Sequence, residues 1–148
     1  MNMMNKEERE AFLNTPILPE DAGEYADGLM DMMNRIPLGW GRWISCGLGW
    51  YSIITEANEQ LKFIDPDYEI HQVKEKYGTL RYYFGSKFDY ESIEFKVMQT
   101  IVNYAECLSE STCEECGTRE WGTEVETRAT HGWLSTNCKE CYDKRYSG

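Results

Sequence analysis

The sequence predicts an α+β fold: helices packed on a small antiparallel hairpin sheet, followed by a short ribbon framed by cysteines. Three observations carry this. Apolar residues recur at helical spacing in three segments. One run changes to the two-residue period of a strand around a glycine. The last quarter of the chain holds two Cys-x-x-Cys pairs.

Taken in order, residues Glu7 to Asn14 read as a short helix on a polar tail, ended by Pro16 and Pro19. A second helix is expected from Pro19-Glu20-Asp21, where proline and two carboxylates suit a first turn, to about Arg35. Its inner positions are Tyr25, Leu29, Met32, Met33 and Ile36, and the cluster Met30, Met32, Met33 is assigned to the core. The glycine-rich aromatic stretch Gly39 to Gly47 is a turn region and lacks the Gly-Lys-Ser/Thr of a phosphate loop. A third helix spans about Gly49 to Phe63, with Trp50, Ile54, Ala57, Leu61 and Ile64 on one face, and ends at Asp65-Pro66-Asp67.

Tyr68 to Phe84 reads as a β-hairpin turning near Gly78. Leu80, Tyr82 and Phe84 share one face, opposite Thr79, Arg81 and Tyr83. Ile70 and Val73 differ in parity, which a bulge in the first strand would reconcile. A long helix is expected from Tyr90 to Ser109, with Ile93, Val97, Ile101, Tyr104, Ala105 and Leu108 as its buried stripe. The chain then divides into a helical and hairpin portion, residues 1–110, and a ribbon, residues 111–148, within one compact unit.

That ribbon carries the strongest chemical signal. Cys113-Glu-Glu-Cys116 is followed after 21 residues by Cys138-Lys-Glu-Cys141. A two-residue spacer lets both sulfurs of a tight turn face one ion, and two such turns complete a tetrahedron. Gly117 suits the positive φ of a knuckle. Glu124 to Thr130 and Trp133 to Thr136 supply a hairpin between the knuckles. The expected cofactor is structural Zn²⁺, although iron also fits four thiolates. Redox chemistry is the weaker reading, because two pairs occur and neither lies in a βαβ pattern. Four cysteines leave no open position for a catalytic water. Cys46 and Cys107 are expected to be small buried hydrophobes, and His131 to pack beside the second knuckle.

The 148 residues carry a net charge of −11, spread along the chain, and 41% hydrophobic content suits a globular domain. Such a surface repels phosphate backbones, so direct nucleic-acid binding is disfavoured; a protein partner with a basic surface suits it better. The polar, acidic start from Met1 to Glu10 is no signal peptide, and no run is long and apolar enough for a membrane span. A reducing cytoplasm is therefore expected, where paired Cys-x-x-Cys motifs hold metal. Against this acidity, Arg42, Lys74, Lys76, Arg81 and Tyr82 form a candidate ligand or partner patch, with Tyr77 and Tyr83 nearby. The simpler reading is a solvated strand face paired with Glu69 and Glu75. No residue set stands out as catalytic.

Three strings, Val73 to Phe84, Ala105 to Gly117 and Gly132 to Cys141, resemble a group of small zinc-ribbon proteins of bacteria and tailed phages with no established activity. The resemblance implies a phage setting in a bacterial cytoplasm and transfers no catalytic residue. With the charge, it leads to the expectation of a non-enzymatic acidic zinc-binding protein acting through protein–protein contacts. Such a protein would inhibit a host nucleic-acid-processing or defence complex. The alternative is an enzyme acting on nucleic acid or nucleotides with a purely structural zinc, using Arg42, His71, Lys74, Lys76 and Arg81 around a pocket.

Overall fold

Capping chemistry and positive-φ residues decide where the elements begin and end. The computed structural model describes residues 3–146; Met1 and Asn2 of the polar start, and the last two residues, lie outside. Helix α1, Lys6–Asn14, opens on a reciprocal capping box: Glu8 N–H donates to Asn5 Oδ1 at 2.8 Å and Asn5 N–H donates to Glu8 Oε2 at 3.1 Å. Helix α2 is Ala26–Asn34 and does not begin at Pro19. Pro19 only accepts a turn hydrogen bond from Ala22, and Gly23, at φ +52°, interrupts any helix from there. Helix α3 is Tyr51–Ile64, entered through a 3₁₀ turn, Leu48–Trp50.

Strands β1, Glu69–Lys76, and β2, Thr79–Gly85, form an antiparallel pair with a bulge between Ile70 and Gln72, where the parity of the first strand changes. Tyr77 and Gly78 both have positive φ, +55° and +82°, the turn whose twist matches its flanking strands. The glycine-rich stretch lies along the free edge of β1: Ser45 donates to Val73 O at 3.0 Å and accepts from Glu75 N–H at 2.8 Å.

Helix α4, Ile93–Ser109, starts three residues later than expected, because the Ser92 hydroxyl caps it by accepting from Phe95 N–H at 3.1 Å. Its orientation differs as well. The buried positions are Met98, Val102, Ala105 and Ser109, while Ile93, Val97 and Tyr104 face outward. Of the expected stripe, only Ala105 is fully buried; Ile101 and Leu108 sit at its rim. Strands β3, Glu126–Thr130, and β4, Trp133–Asn137, form the second antiparallel pair, and helix α5, Lys139–Tyr146, closes the chain. Helix α5 has no apolar stripe to betray it in the sequence; its marks are the i,i+4 ion pairs Lys139–Asp143 and Glu140–Lys144.

Helices α2, α3 and α4 pack on the inner face of β1–β2. Leu29, Met32, Met33, Trp50, Ile54, Leu61, Ile70, Leu80, Met98 and Val102 make the core, and Met30 packs against it. Through this core runs a chain of polar groups. Arg35 Nε donates to Asp31 Oδ2 at 3.1 Å, and Asn58 Nδ2 donates to the same oxygen at 2.8 Å. The Tyr68 hydroxyl donates to Asn58 Oδ1 and meets the Tyr82 hydroxyl at 2.7 Å. Burial pushes both phenols above their ordinary pKa, so they stay neutral. Among the described residues, no helix is long and apolar enough to cross a membrane.

The buried carboxylate of Asp65 ties the end of α3 to the loop after β2. It accepts from the Ser86 hydroxyl at 2.6 Å, from Lys87 N–H at 3.3 Å and from Asp67 N–H at 3.2 Å. Burial alone would raise its pKa, but these donors outweigh it and hold the group below the carboxylate range. The stabilisation is therefore complete above the unfolded value, near 3.9, and is lost as pH falls through the lower folded value. Asp65→Asn is expected to cost roughly 1–3 kcal/mol at neutral pH and to flatten the acid limb of the stability profile, read by denaturant melts across the acid range. An unchanged acid limb would refute this role.

Candidate metal centre

Helix α4 delivers the chain to the first knuckle, with the Thr112 hydroxyl donating back to Leu108 O at 2.7 Å. The turn then closes on itself: Cys113 N–H donates to Thr118 O and Gly117 N–H to Cys113 O, each at 2.9 Å. Gly117 has φ +78°, as a knuckle requires. The second knuckle joins β4 to α5. There Cys141 N–H points at Cys138 Sγ at 3.4 Å, and Tyr142 N–H donates to Cys138 O at 3.0 Å.

These turns bring the sulfurs of Cys113, Cys116, Cys138 and Cys141 within 4.8 Å of one another. Cys116 Sγ and Cys138 Sγ are 3.8 Å apart. A tetrahedron with metal–sulfur bonds of about 2.3 Å has an edge of about 3.8 Å. Cys113 and Cys138 are buried, Cys141 is half-buried and Cys116 is exposed. Burial works to raise the Cys113 pKa, but N–H groups of Cys116, Cys138 and Glu115 outweigh it and bring the thiol below its ordinary value. Burial, followed by the neighbouring sulfurs, pushes Cys116 and Cys141 upward. Four thiols this close ionise together only when a cation shares the space. The donor set therefore fits a metal ion with a preference for thiolate, and the four sulfurs fill a tetrahedral sphere.

The centre is docked tightly onto the rest of the chain. Glu114 carries most of that docking: its carbonyl accepts from Gly49 N–H at 2.7 Å, its carboxylate from Gly47 N–H at 2.8 Å, and its own N–H donates to Thr136 O at 3.0 Å. Trp50 Nε1 donates to Thr112 O at 2.9 Å inside the core. On the other side the Thr136 hydroxyl bonds to Gly78 O and meets Thr127 Oγ1 at 2.6 Å. The knuckle thus rests on the Gly47–Trp50 turn and on the tip of the first hairpin. Residue-type patterns gave no warning of Glu114; its only mark in the sequence is its place between two ligand cysteines.

Other candidate residues fall into different places. Lys74, Lys76 and Arg81 share the outer face of the first hairpin, with Lys74 directly opposite Arg81 and Lys76 opposite Thr79. Tyr82 does not belong to that patch: it is buried, on the face with Leu80, and its hydroxyl is in the polar chain. Arg42 is also elsewhere, donating to Ile36 O at 3.1 Å and Asn34 Oδ1 at 3.3 Å. His71 lies beside Glu69, with its ring 4.9 Å from that of Trp40. The five residues Arg42, His71, Lys74, Lys76 and Arg81 line no common pocket among the described residues. His131 is not at the second knuckle but in the exposed β3–β4 turn, at φ +52° next to Gly132. Cys107 is exposed rather than buried, because α4 is rotated from the expected orientation, whereas Cys46 is partly buried and packs against the core.

A cleft of about 710 Å³ opens beside the metal centre. Asp21, Glu75, Glu114 and Glu115 line it, with Trp133 standing at its edge, 76% exposed. Arg145 pairs with Glu115 at 3.1 Å. These carboxylates come from three separate stretches of chain, so no local motif announces them. No protein-family model, no curated protein and no solved structure matches the chain.

Proposed function

We propose that this chain is a non-enzymatic zinc-binding protein that acts by gripping a protein partner through a basic segment. In keeping with its resemblance to zinc-ribbon proteins of bacteria and tailed phages, the partner is a host nucleic-acid-processing or defence complex in the bacterial cytoplasm. The observation that carries this reading is the cleft: four carboxylates around a concave surface with an exposed tryptophan at the edge. A guanidinium or ammonium entering it meets a concentrated negative field and an aromatic face, and tryptophan is among the residues that dominate binding energy. Four thiolates around the ion complete its coordination, so the zinc serves as scaffold.

The test is affinity purification of the metal-loaded chain from a bacterial lysate, followed by mass spectrometry. The wild type is expected to retain a protein with a basic surface, and Trp133→Ala to lose at least about tenfold in retention, the scale of a hot-spot residue. Trp133 is mostly exposed, so the variant should melt like the wild type. Failure to recover any partner under gentle, low-salt conditions would count heavily against the reading.

A further inference from the structure

Helix α4 carries apolar side chains on two faces, and its own fold uses one. Met98, Val102 and Ala105 enter the core. On the outer side Ile93 is 77% exposed, Val97 45% and Tyr104 65%. Ile101 and Leu108 sit between these residues and α3, where Phe63, 88% exposed, borders the same depression as Ile101. Val97, Ile101, Tyr104 and Leu108 step by 4, 3 and 4 residues, the spacing of a helix–helix seam.

We infer that this face is the seam of a homodimer, a second copy of the chain packing its α4 against the first across a twofold axis. Charge and area both select this occupant. From Val97 to Ala105 there is no charged residue, in a chain of net charge −11. Glu56 and Glu59 border the α3 side of the depression, so the twofold axis runs along the Val97–Ala105 stretch of α4, where two copies meet through uncharged side chains. Phe63, Tyr104, Ile93 and Val97 together offer about 500 Å² of exposed apolar surface, taking full side chains at roughly 150–250 Å². That equals the apolar share, about 65%, of the roughly 800 Å² that each partner gives to a standard interface. An isologous arrangement buries the face on both copies and leaves no open end for further growth. The metal centre and the acidic cleft take no part in the seam, so it stands independently of the function proposed above.

Sedimentation velocity on the metal-loaded full chain tests it. The wild type is expected to dimerise with a dissociation constant of roughly 1–10 μM, and more tightly at higher salt, because screening weakens the repulsion between acidic copies. Val97→Glu with Tyr104→Glu should weaken dimerisation by about 100-fold or more while leaving the monomer folded, since neither side chain is part of the buried core. Phe63→Ala, which adds no charge, should weaken it by about tenfold. A wild type that stays monomeric at several hundred micromolar overturns the inference and leaves the face to a foreign partner. A dimer that neither set of substitutions weakens overturns it as well.

Discussion

Stripping the metal, or replacing Cys113 by serine, is expected to lower the melting temperature by about 10 °C or more. Metal binding in small thiolate modules is worth roughly 10–16 kcal/mol, comparable to the whole stability of a domain at roughly 5–15 kcal/mol. Apart from the ion, the region is held by hydrogen bonds from Thr112, Glu114 and Thr136 to the rest of the chain and has little hydrophobic core of its own. The β3–β4 pair is an isolated two-stranded sheet with half of its residues exposed, and such hairpins are marginal in water. Without the ion, the raised thiols of Cys116 and Cys141 stay protonated and the turns lose their common centre. The damage should spread, because the same turns hold Trp50 through Thr112 and the first hairpin through Thr136. Thermal melts with elemental analysis before and after chelation check this, and identical melting after verified metal removal refutes it. Acid should act in the same direction, since protons compete with the metal for thiolate, so metal release should rise steadily as pH falls.

Gly49→Ala is expected to cost roughly 3 kcal/mol or more and to weaken metal retention, although no ligand is altered. A Cβ at this position would lie 2.1 Å from the Cys113 carbonyl oxygen and 2.6 Å from the carbonyl carbon and oxygen of Glu114. These are backbone atoms, so no side-chain rotation can relieve the clash. The knuckle would have to lift, giving up the 2.7 Å hydrogen bond from Gly49 N–H to Glu114 O. Denaturant melts measure the first effect and transfer of metal to a chromogenic chelator the second. Wild-type values in both assays would sink the docking account.

What the sequence reveals of this molecule follows from how local each signal is. The stripes of α2 and α3, the parity change in β1 and the two cysteine pairs are each contained in a short window, and the structure contains them. Helix α4 is different. Apolar residues cover more than half of its circumference, so two overlapping stripes fit a helical period, and only the neighbours decide which turns inward. Tyr82 was legible by alternation with Leu80; its basic neighbours pulled it into a surface patch where it does not belong. Gly47 reads as a turn residue and Gly49 as the start of a helix, yet at Gly49 the need for glycine arises from a contact with Cys113 and Glu114, more than sixty residues away. The acidic cleft was invisible for the same reason, being assembled from distant parts of the chain.

The placement of all four sulfurs after α4 has a consequence for how the protein is made. Synthesis releases α2, α3, the first hairpin and α4 before any ligand cysteine, so the hydrophobic core can form without metal. Cys113 and Cys116 then emerge and supply only two of the four sulfurs of the cluster. Cys141 follows Cys116 by 25 residues, about 1–5 s at ordinary translation rates of ~5–20 residues per second. The complete four-sulfur site thus forms last, onto a surface already shaped by Gly49 and Trp50, so that any ion it takes up would report that the rest of the chain has folded correctly.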